Sequence, residues 1–212
     1  MFSVAVIDYG MGNLHSIAKA LEHASEHSRV EITAEPAKIL AADRVVFPGV
    51  GAMRDCMAEL KRQQLMAVVI EAAQTRPFLG ICLGMQALLD HSEENGGTTG
   101  LGLVAGEVRY FGERFEVDGQ TRLKIPHMGW NQVFPTQDHP LWQNIAVGSR
   151  FYFVHSYYAD PSDPQQCAAK TPYGLDFCAA IAQDNIFAIQ CHPEKSQQVG
   201  LQLLHNFIEW QI

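Results

Sequence analysis

The sequence predicts an α/β fold, a mostly parallel open sheet flanked by helices, with an antiparallel extension in the second half. In the first half, short apolar runs alternate with helical segments, which is typical of βαβ units with right-handed crossovers. From Gly100 to Phe134, glycines and short alternating apolar runs replace the helical pattern, which indicates antiparallel strands and hairpins. In parallel sheets, sites form beyond the carboxyl ends of the strands.

Length and charge narrow the class of protein. With 212 residues the chain can build one sizeable core, so we expect residues 1–212 to form a single domain. The chain has 15 Lys and Arg against 23 Asp and Glu, a net charge of -8, and no cluster of basic residues. This excludes nucleic acid as an expected partner. No apolar run approaches the roughly 18 residues of a membrane helix, so we expect no membrane partner.

Cysteine usage and the N-terminus predict a cytoplasmic protein. The five cysteines are an odd number, and no pair has the Cys-x-x-Cys spacing. A disulfide framework and a structural zinc site are therefore poorly supported, and reduced thiols are the simpler interpretation. The N-terminus lacks the basic segment and cleavage site of a signal peptide. We expect it to form the first strand instead.

The first half supplies the expected parallel strands and their helices. Gly10 and Gly12 follow the first strand, but the third glycine of a dinucleotide fingerprint is replaced by His15, so a tight turn is favoured. The predicted strands are Val4 to Asp8, Glu31 to Thr33, Arg44 to Phe47 and Pro77 to Ile81. The predicted helices are Leu14 to His23, Ala52 to Glu71 and Met85 to His91.

The second half ends in a hairpin and a helix. Asp184-Asn185 is a turn signal between the strands Cys178 to Gln183 and Ile186 to Gln190, and Phe151 to His155 is a further strand. Apolar residues recur every four positions near the C-terminus, which predicts a last helix with Ser196 as its cap. Segments 120–124 and 137–144 give no assignment.

Cys82 is the first candidate for chemistry. It follows the apolar run Pro77 to Ile81, and glycines stand two residues before and after it. Strand, Gly-x-Cys-x-Gly and helix form the cysteine version of a nucleophile elbow, where small neighbours permit a sharp turn. A helix N-terminus there favours a thiolate. The alternative is an inert buried cysteine.

A histidine and a carboxylate complete a possible catalytic set. His192-Pro193-Glu194 also follows a strand end, and residues two apart in extended chain project to the same side. His192 could take a proton from Cys82, with Glu194 fixing the tautomer of its ring. The alternative is a strand-terminal histidine beside a surface glutamate.

A glycine loop suits the second donor of an oxyanion hole. The residue after an elbow nucleophile supplies one N–H group, which is Leu83 in this chain. The loop Pro48-Gly49-Val50-Gly51 follows another strand, and its Gly49–Val50 peptide, with the N–H of Val50, is our choice for the second. The alternative is an ordinary glycine turn.

The segments Gly80 to Gln86 and His192 to Glu194 resemble the class I (triad) glutamine amidotransferase family over essentially the whole chain. The resemblance implies that Cys82 attacks the side-chain amide of glutamine and forms a γ-glutamyl thioester, with His192 as base and then acid and Glu194 orienting it. It implies no metal and no cofactor. Positions that hold the glutamine in the family correspond here to Gly51, Gln86, Glu94, Ser156 and Tyr157.

Three further segments resemble one branch of this family, a glutaminase subunit of histidine biosynthesis. They are Asp8 to Leu14, Pro126 to Asn131 and His192 to Ser196. The resemblance implies a heterodimer in which ammonia passes to a separate (β/α)8 cyclase subunit. Family positions that face this partner correspond to Met128, Trp130, Tyr152 and Lys195, and an aromatic and methionine patch suits an interface. For Trp130 the alternative is a place in the core.

The sequence departs from the family pattern before His192, where Cys191 replaces a bulky aromatic residue, and we predict no functional role for it.

Three rival hypotheses about the class of protein remain. An α/β-hydrolase with a cysteine nucleophile would place its acid before the histidine, whereas Glu194 follows it. A sister amidotransferase such as the glutaminase of pyridoxal phosphate synthesis would not explain Pro126 to Trp130. A non-enzymatic scaffold would use only the partner surface.

Overall fold

A computed structural model describes residues 1–112, 115–117 and 121–212. The α-helices are α1 (Leu14–Ala24), α2 (Pro36–Ala41), α3 (Met53–Arg62), α4 (Met66–Thr75), α5 (Leu83–Gln86) and α6 (Gln197–Glu209). The first strands are β1 (Phe2–Ile7), β2 (Ser28–Thr33), β3 (Arg44–Gly49), β4 (Phe78–Cys82), β5 (Leu89–Ser92) and β6 (Thr98–Thr99). The others are β7 (Val104–Tyr110), β8 (Phe115–Val117), β9 (Thr121–Leu123), β10 (His127–Gln132), β11 (Phe134–Pro135), β12 (Arg150–His155), β13 (Tyr157–Pro161), β14 (Cys167–Pro172), β15 (Asp176–Gln183) and β16 (Ile186–Ile189).

The main sheet confirms the predicted fold class. Across the described residues its order is β2-β1-β3-β4-β16-β15-β13-β7-β5-β6, with β14 also paired to β15 and β11 to β14. The five strands from β2 to β16 are parallel. The strands beyond β16 pair mostly antiparallel, with β5 and β7 as a parallel pair among them. The extension thus begins at the predicted hairpin around Asp184-Asn185.

The pairing of β16 with β4 brings distant segments together. These strands are parallel, with Ile189 opposite Ile81, so both chains leave the sheet at the same edge. Cys82 follows Ile81 directly, and His192 lies three residues beyond Ile189. On the other side of β4, Gly49 pairs with Cys82 itself. Three parallel strands therefore deliver the three predicted site segments to one edge.

Each face of the parallel strands has its own apolar core. Val46 and Leu79 point to the face that α1 and α6 cover, through Leu21 and Phe207 among others. Their neighbours Val45, Phe47 and Phe78 point to the opposite face, which α2, α3 and α4 cover. This alternation follows from the two-residue period of a strand and explains why β3 and β4 are apolar on both sides.

Two predicted helices differ from the observed ones. The helix expected from Met85 to His91 is wrong, since α5 ends at Gln86 and Leu89–Ser92 is a strand paired with β6 and β7. Sheet pairing outweighs local propensity there. The expected helix from Ala52 to Glu71 is two helices, because Gln64 adopts a φ of 58° between α3 and α4.

The role expected of Ser196 is also wrong. It precedes α6, but its side chain makes no capping hydrogen bond. Its hydroxyl instead donates to the His192 carbonyl at 2.6 Å and accepts from the Tyr152 N–H at 3.0 Å. Ser196 therefore fastens the segment that carries His192 to β12. Among the helices of the described residues, none has the length and apolarity that a membrane crossing requires.

Candidate active site

Cys82 stands at a strained turn that its glycine neighbours make possible. It ends β4 with a φ of 55°, a value that residues other than glycine rarely adopt. A Cβ atom on Gly84 would lie 1.9 Å from the Phe47 carbonyl oxygen, and one on Gly80 would lie 3.0 Å from Ala188 Cβ. The chain is therefore an elbow at the sheet edge, as the sequence predicts. The helix after it is only four residues long, so its dipole contributes little.

His192 and Glu194 form a buried pair. The Nδ1 of His192 donates to Oε1 of Glu194 at 3.0 Å, and their side chains are 2% and 0% exposed. The contact arises from the 3-10 turn Pro193–Lys195 and not from extended chain, so the predicted proximity is found but its expected reason is wrong. The alternative of a surface glutamate is excluded.

The electrostatics around His192 favour its protonated form. Burial lowers the pKa of His192, but Cys82 and Glu194 raise it more, to about 10. The Nε2 atom is buried and has no hydrogen-bond partner among the described residues. A ring held by Glu194 on one nitrogen, with Cys82 close enough to act on its charge, is suited to exchange a proton with that thiol.

One cavity of about 320 Å³ collects most of the predicted site residues. Its walls also include residues that the sequence did not single out. Gly49 and Glu194 do not line the cavity, but they lie next to Cys82 and His192 respectively. The predicted residues that line the cavity are Val50, Gly51, Cys82, Leu83, Gln86, Glu94, Ser156, Tyr157 and His192, and the others are Pro126, Val154 and His155.

The glycine loop packs against the elbow that carries Cys82. The Tyr9 hydroxyl donates to the Pro48 carbonyl at 2.9 Å, which fixes the peptide before Gly49. A Cβ atom on Gly49 would lie 2.6 Å from the Tyr9 hydroxyl and 2.8 Å from Leu83 Cβ. Val50, the next residue, is 41% exposed at the cavity rim. The loop is thus packed against Leu83 at Gly49 and open at Val50.

Two polar side chains that line the cavity are hydrogen-bonded to the backbone. The Gln86 amide nitrogen donates to the Tyr157 carbonyl at 3.0 Å. The Glu94 carboxylate accepts from the Met53 N–H at 2.7 Å and so joins the cavity wall to the start of α3. These contacts hold both side chains in place before any ligand arrives.

Two residues of the site were not predicted from the sequence, Gln190 and His155. Gln190 is fully buried, and its amide lies between Gln86 and the Cys82 sulfur. His155 lines the cavity and donates to the Tyr157 carbonyl at 2.8 Å. A polar residue that follows an otherwise apolar buried strand is a signal that could have identified Gln190.

Cys191 lies next to His192 but is enclosed. Its side chain is 2% exposed, and burial, followed by the charge of Glu194, raises the pKa of its thiol well above the usual value. A buried thiol with a raised pKa is a poor nucleophile. The absence of a functional role for Cys191 stays a prediction, which its burial supports.

The four residues expected to face a partner lie at one surface, where Tyr152 is half-buried and the other three are exposed. Met128 and Trp130 are 61% and 39% exposed on β10, so the core alternative for Trp130 is wrong. The Trp130 and Tyr152 rings meet edge to face at 6.1 Å, and the Lys195 Nζ lies 5.7 Å from the centre of the Tyr152 ring. We call Met128, Trp130, Tyr152 and Lys195 the β10 surface.

The fold and the site define a class of protein, one with a cysteine at a nucleophile elbow and a buried His–Glu pair on a parallel sheet. Comparison with known proteins narrows this class. The pattern of the Glutamine amidotransferase class-I family matches residues 5–210. The chain belongs to the class-I glutamine amidotransferase family.

Two similar proteins indicate a narrower group within this family. The chain is 61% identical over 212 residues to "Imidazole glycerol phosphate synthase subunit HisH" of Methylococcus capsulatus, covering 100% of this chain and 98% of that protein. It is 58% identical over 210 residues to the protein of the same name from Pseudomonas putida, covering 99% and 98%.

Solved structures share the fold at low identity. "Structure of PurLQS from Thermotoga maritima" matches with a TM-score of 0.73 and 16% identity, covering 99% of each chain. "Crystal structure of glutamine amidotransferase" matches with a TM-score of 0.70 and 14% identity, covering 97% of each chain.

Proposed function

We propose that this chain is the glutaminase subunit of an imidazole glycerol phosphate synthase, acting in histidine biosynthesis. The family assignment and the full-length relatives support an enzyme that hydrolyses glutamine. The single observation that carries the chemistry is the buried His192–Glu194 pair beside Cys82 in a cavity of the class-I fold. The choice of this particular synthase rests on the name of the relatives and not on the cavity.

The first half of the reaction forms a thioester. The thiol proton of Cys82 passes to His192, whose raised pKa favours this ion pair, and the thiolate then attacks the side-chain amide carbon of glutamine. His192 then gives this proton to the departing nitrogen, the C–N bond breaks and ammonia leaves. Glu194 keeps Nδ1 of His192 protonated, so Nε2 is the atom that exchanges the proton. The product on the enzyme is a γ-glutamyl thioester.

The second half regenerates the thiol. Water attacks the thioester carbon and loses a proton to His192, the C–S bond breaks, and the proton returns to the Cys82 sulfur as glutamate leaves. In both halves the carbonyl oxygen becomes an oxyanion. The N–H groups of Leu83 and Val50, with Gly49 as the hinge before Val50, are the donors that we assign to it.

Five residues around the cavity hold the glutamine in this proposal. The Glu94 carboxylate has one oxygen on the Met53 N–H, and its charge suits the α-ammonium group of the substrate. Gln86 and the backbone at Gly51, Ser156 and Tyr157 supply neutral polar contacts along the chain of the substrate.

Ammonia passes to a cyclase subunit, a (β/α)8 barrel that forms a heterodimer with this chain. There it is incorporated into a phosphoribulosyl-formimino nucleotide, giving imidazole glycerol phosphate and an aminoimidazole carboxamide ribonucleotide. The β10 surface is the contact that we assign to this partner.

A flip of the Gly49–Val50 peptide on partner loading would complete the oxyanion hole, and Val50 has the exposure that such a movement requires. We place the complex in the cytoplasm.

The test is glutamate release from glutamine, measured for this chain alone and with the cyclase subunit and its nucleotide ligand. We expect weak release alone and a large rise with the loaded partner. Cys82→Ala should abolish release, whereas the matched control Cys56→Ala should retain it, since Cys56 is buried in α3. High activity without a partner would contradict the peptide flip. Absence of release under every condition would contradict the proposed function and favour a scaffold.

A further inference from the structure

Gln190 brings a neutral amide into the core beside the nucleophile. It follows β16, its exposed fraction is 0%, and its own N–H donates to the Ala179 carbonyl at 2.9 Å. A buried amide must find partners for both of its ends, because an unpaired one costs a large desolvation penalty. The partners here are Gln86 and Cys82.

The orientation of the Gln190 amide follows from its surroundings. The Tyr157 carbonyl can only accept, so Gln86 must turn its NH2 group toward it, at 3.0 Å. The same nitrogen lies 2.9 Å from the Gln190 amide, and that atom must therefore be the oxygen. This leaves the Gln190 NH2 group facing the Cys82 sulfur at 3.6 Å, within range for a hydrogen bond to sulfur.

Two histidines on neighbouring strands, His127 and His155, form hydrogen bonds that lead to the Tyr157 carbonyl. Burial lowers the pKa of His155 to about 3 and that of His127 to about 4, so both rings are neutral near pH 7. His155 Nδ1 donates to the Tyr157 carbonyl at 2.8 Å, which leaves its Nε2 to accept from His127 Nδ1 at 2.9 Å. The Tyr157 carbonyl thus accepts from His155 on one side and from Gln86 on the other, and Gln86 also donates to Gln190.

We propose that Gln190 is a positioning residue for the nucleophile, an amide donor that orients the Cys82 sulfur and stabilises its thiolate. The proposal rests on the proposed function for the identity of the substrate only, since the donor acts on the free enzyme. A hydrogen bond donated to a charged sulfur favours the thiolate over the thiol. Because the amide is neutral, it does so without competing with His192 for the proton.

The experiment compares Gln190→Met and Gln190→Glu with wild type. Methionine has similar length but no donor, and glutamate keeps an acceptor for Gln86 while placing a carboxylate against the sulfur. Alkylation of Cys82 by iodoacetamide is followed across pH and assigned by peptide mass spectrometry. We expect Gln190→Met to lower the alkylation rate of Cys82 at pH 7 about ten-fold, because the thiolate loses a hydrogen-bond donor. Gln190→Glu should lower this rate further.

Turnover with the loaded partner separates positioning from substrate binding. Gln190→Met should lower kcat about ten-fold and leave KM nearly unchanged, because Gln190 contacts the Cys82 sulfur and does not line the cavity. The matched control is Gln183→Met, on β15 at the far end of the same hairpin, where the amide accepts from Gln166. This control should leave both the alkylation curve and kcat unchanged.

A wild-type measurement keeps the test independent of folding. One Nε2 proton of Gln190 should move downfield in the nuclear magnetic resonance spectrum as Cys82 ionises. A proton that stays in place, or a folded Gln190→Met with the wild-type alkylation curve, would overturn the proposal. If the alkylation effects appear but wild type releases no glutamate with its partner, the proposed function fails and the positioning role stands.

Discussion

Residue by residue, the site depends on close approaches that allow few substitutions. Cys82 has a positive φ, and the turn that follows brings Gly84 so near the Phe47 carbonyl that no side chain fits between them. His192 is held by Glu194 at 3.0 Å and fastened from behind by Ser196. Backbone strain of this kind persists only where the surrounding packing enforces it, and such positions cluster at functional sites.

Glu194→Gln should change the pH dependence of turnover. Cys82 and Glu194 together raise the pKa of His192, so removing one negative charge lowers it. His192 must hold a proton to expel ammonia, and it loses this proton as pH rises through its pKa. The alkaline limb of kcat against pH should therefore move to lower pH by about one unit or more, with a lower maximum.

The control for this change is Glu22→Gln, an exposed carboxylate on α1. Its pH profile should match that of wild type. An alkaline limb that is unchanged in Glu194→Gln would mean that His192 is not the group whose proton is required.

Among the elements, parallel pairing positions the site more than the helices do. The sequence predicted β1, β3 and β4, the hairpin of β15 and β16, and the candidate residues after Gly49, Ile81 and Ile189, because apolar runs and turn signals are local features. It did not predict that α5 stops at Gln86. It also missed Gln190, whose partners lie 104 and 108 positions away in the chain. Such contacts depend on strand order, which no local pattern contains.

The last helix depends on a side chain from β3. The Arg44 guanidinium donates to the carbonyls of Phe207 at 3.2 Å and Trp210 at 2.7 Å, where α6 ends. It also lies 3.8 Å from the centre of the Phe2 ring. The Phe207 carbonyl also accepts from the Trp210 N–H, at 3.3 Å. The Arg44 cation adds a charged donor for both carbonyls and complements the helix dipole.

Arg44→Met should therefore lower the free energy of unfolding by about 2 to 3 kcal/mol, because two buried carbonyls lose a charged donor. Urea denaturation monitored by tryptophan fluorescence measures the change. Arg29→Met, an exposed arginine on β2, is the matched control and should stay within about 0.5 kcal/mol of wild type. Equal stability for the two variants would show that Arg44 does not hold the end of α6.

As a whole molecule, the protein places its cavity and its proposed partner surface on adjoining strands. The two-stranded sheet of β10 and β12 carries the β10 surface, and its Val154 and His155 line the cavity. Met128 and Trp130 are large apolar side chains in contact with solvent, which is costly unless a partner covers them. A loaded partner would thus touch the sheet whose other residues face the proposed substrate.

Trp130→Ala should weaken binding of the cyclase subunit. A tryptophan at the centre of an interface contributes at least about 2 kcal/mol, so Kd should rise about thirty-fold or more. Isothermal titration calorimetry measures this directly. The matched control is Ile212→Ala, an apolar residue that is 68% exposed at the C-terminus, and its Kd should be that of wild type. An unchanged Kd for Trp130→Ala would move the interface to another surface.

The central claim is that Cys82 forms the covalent bond to glutamine, and labelling with a diazoketone analogue of glutamine tests it most directly. Loss of glutaminase activity would be followed beside peptide mass spectrometry of all five cysteines. We predict one equivalent of label on Cys82, formed in step with inactivation, slowed by excess glutamine and absent in Cys82→Ala. Inactivation with the label on Cys191 or another cysteine, or full activity with Cys82 labelled, would contradict the account.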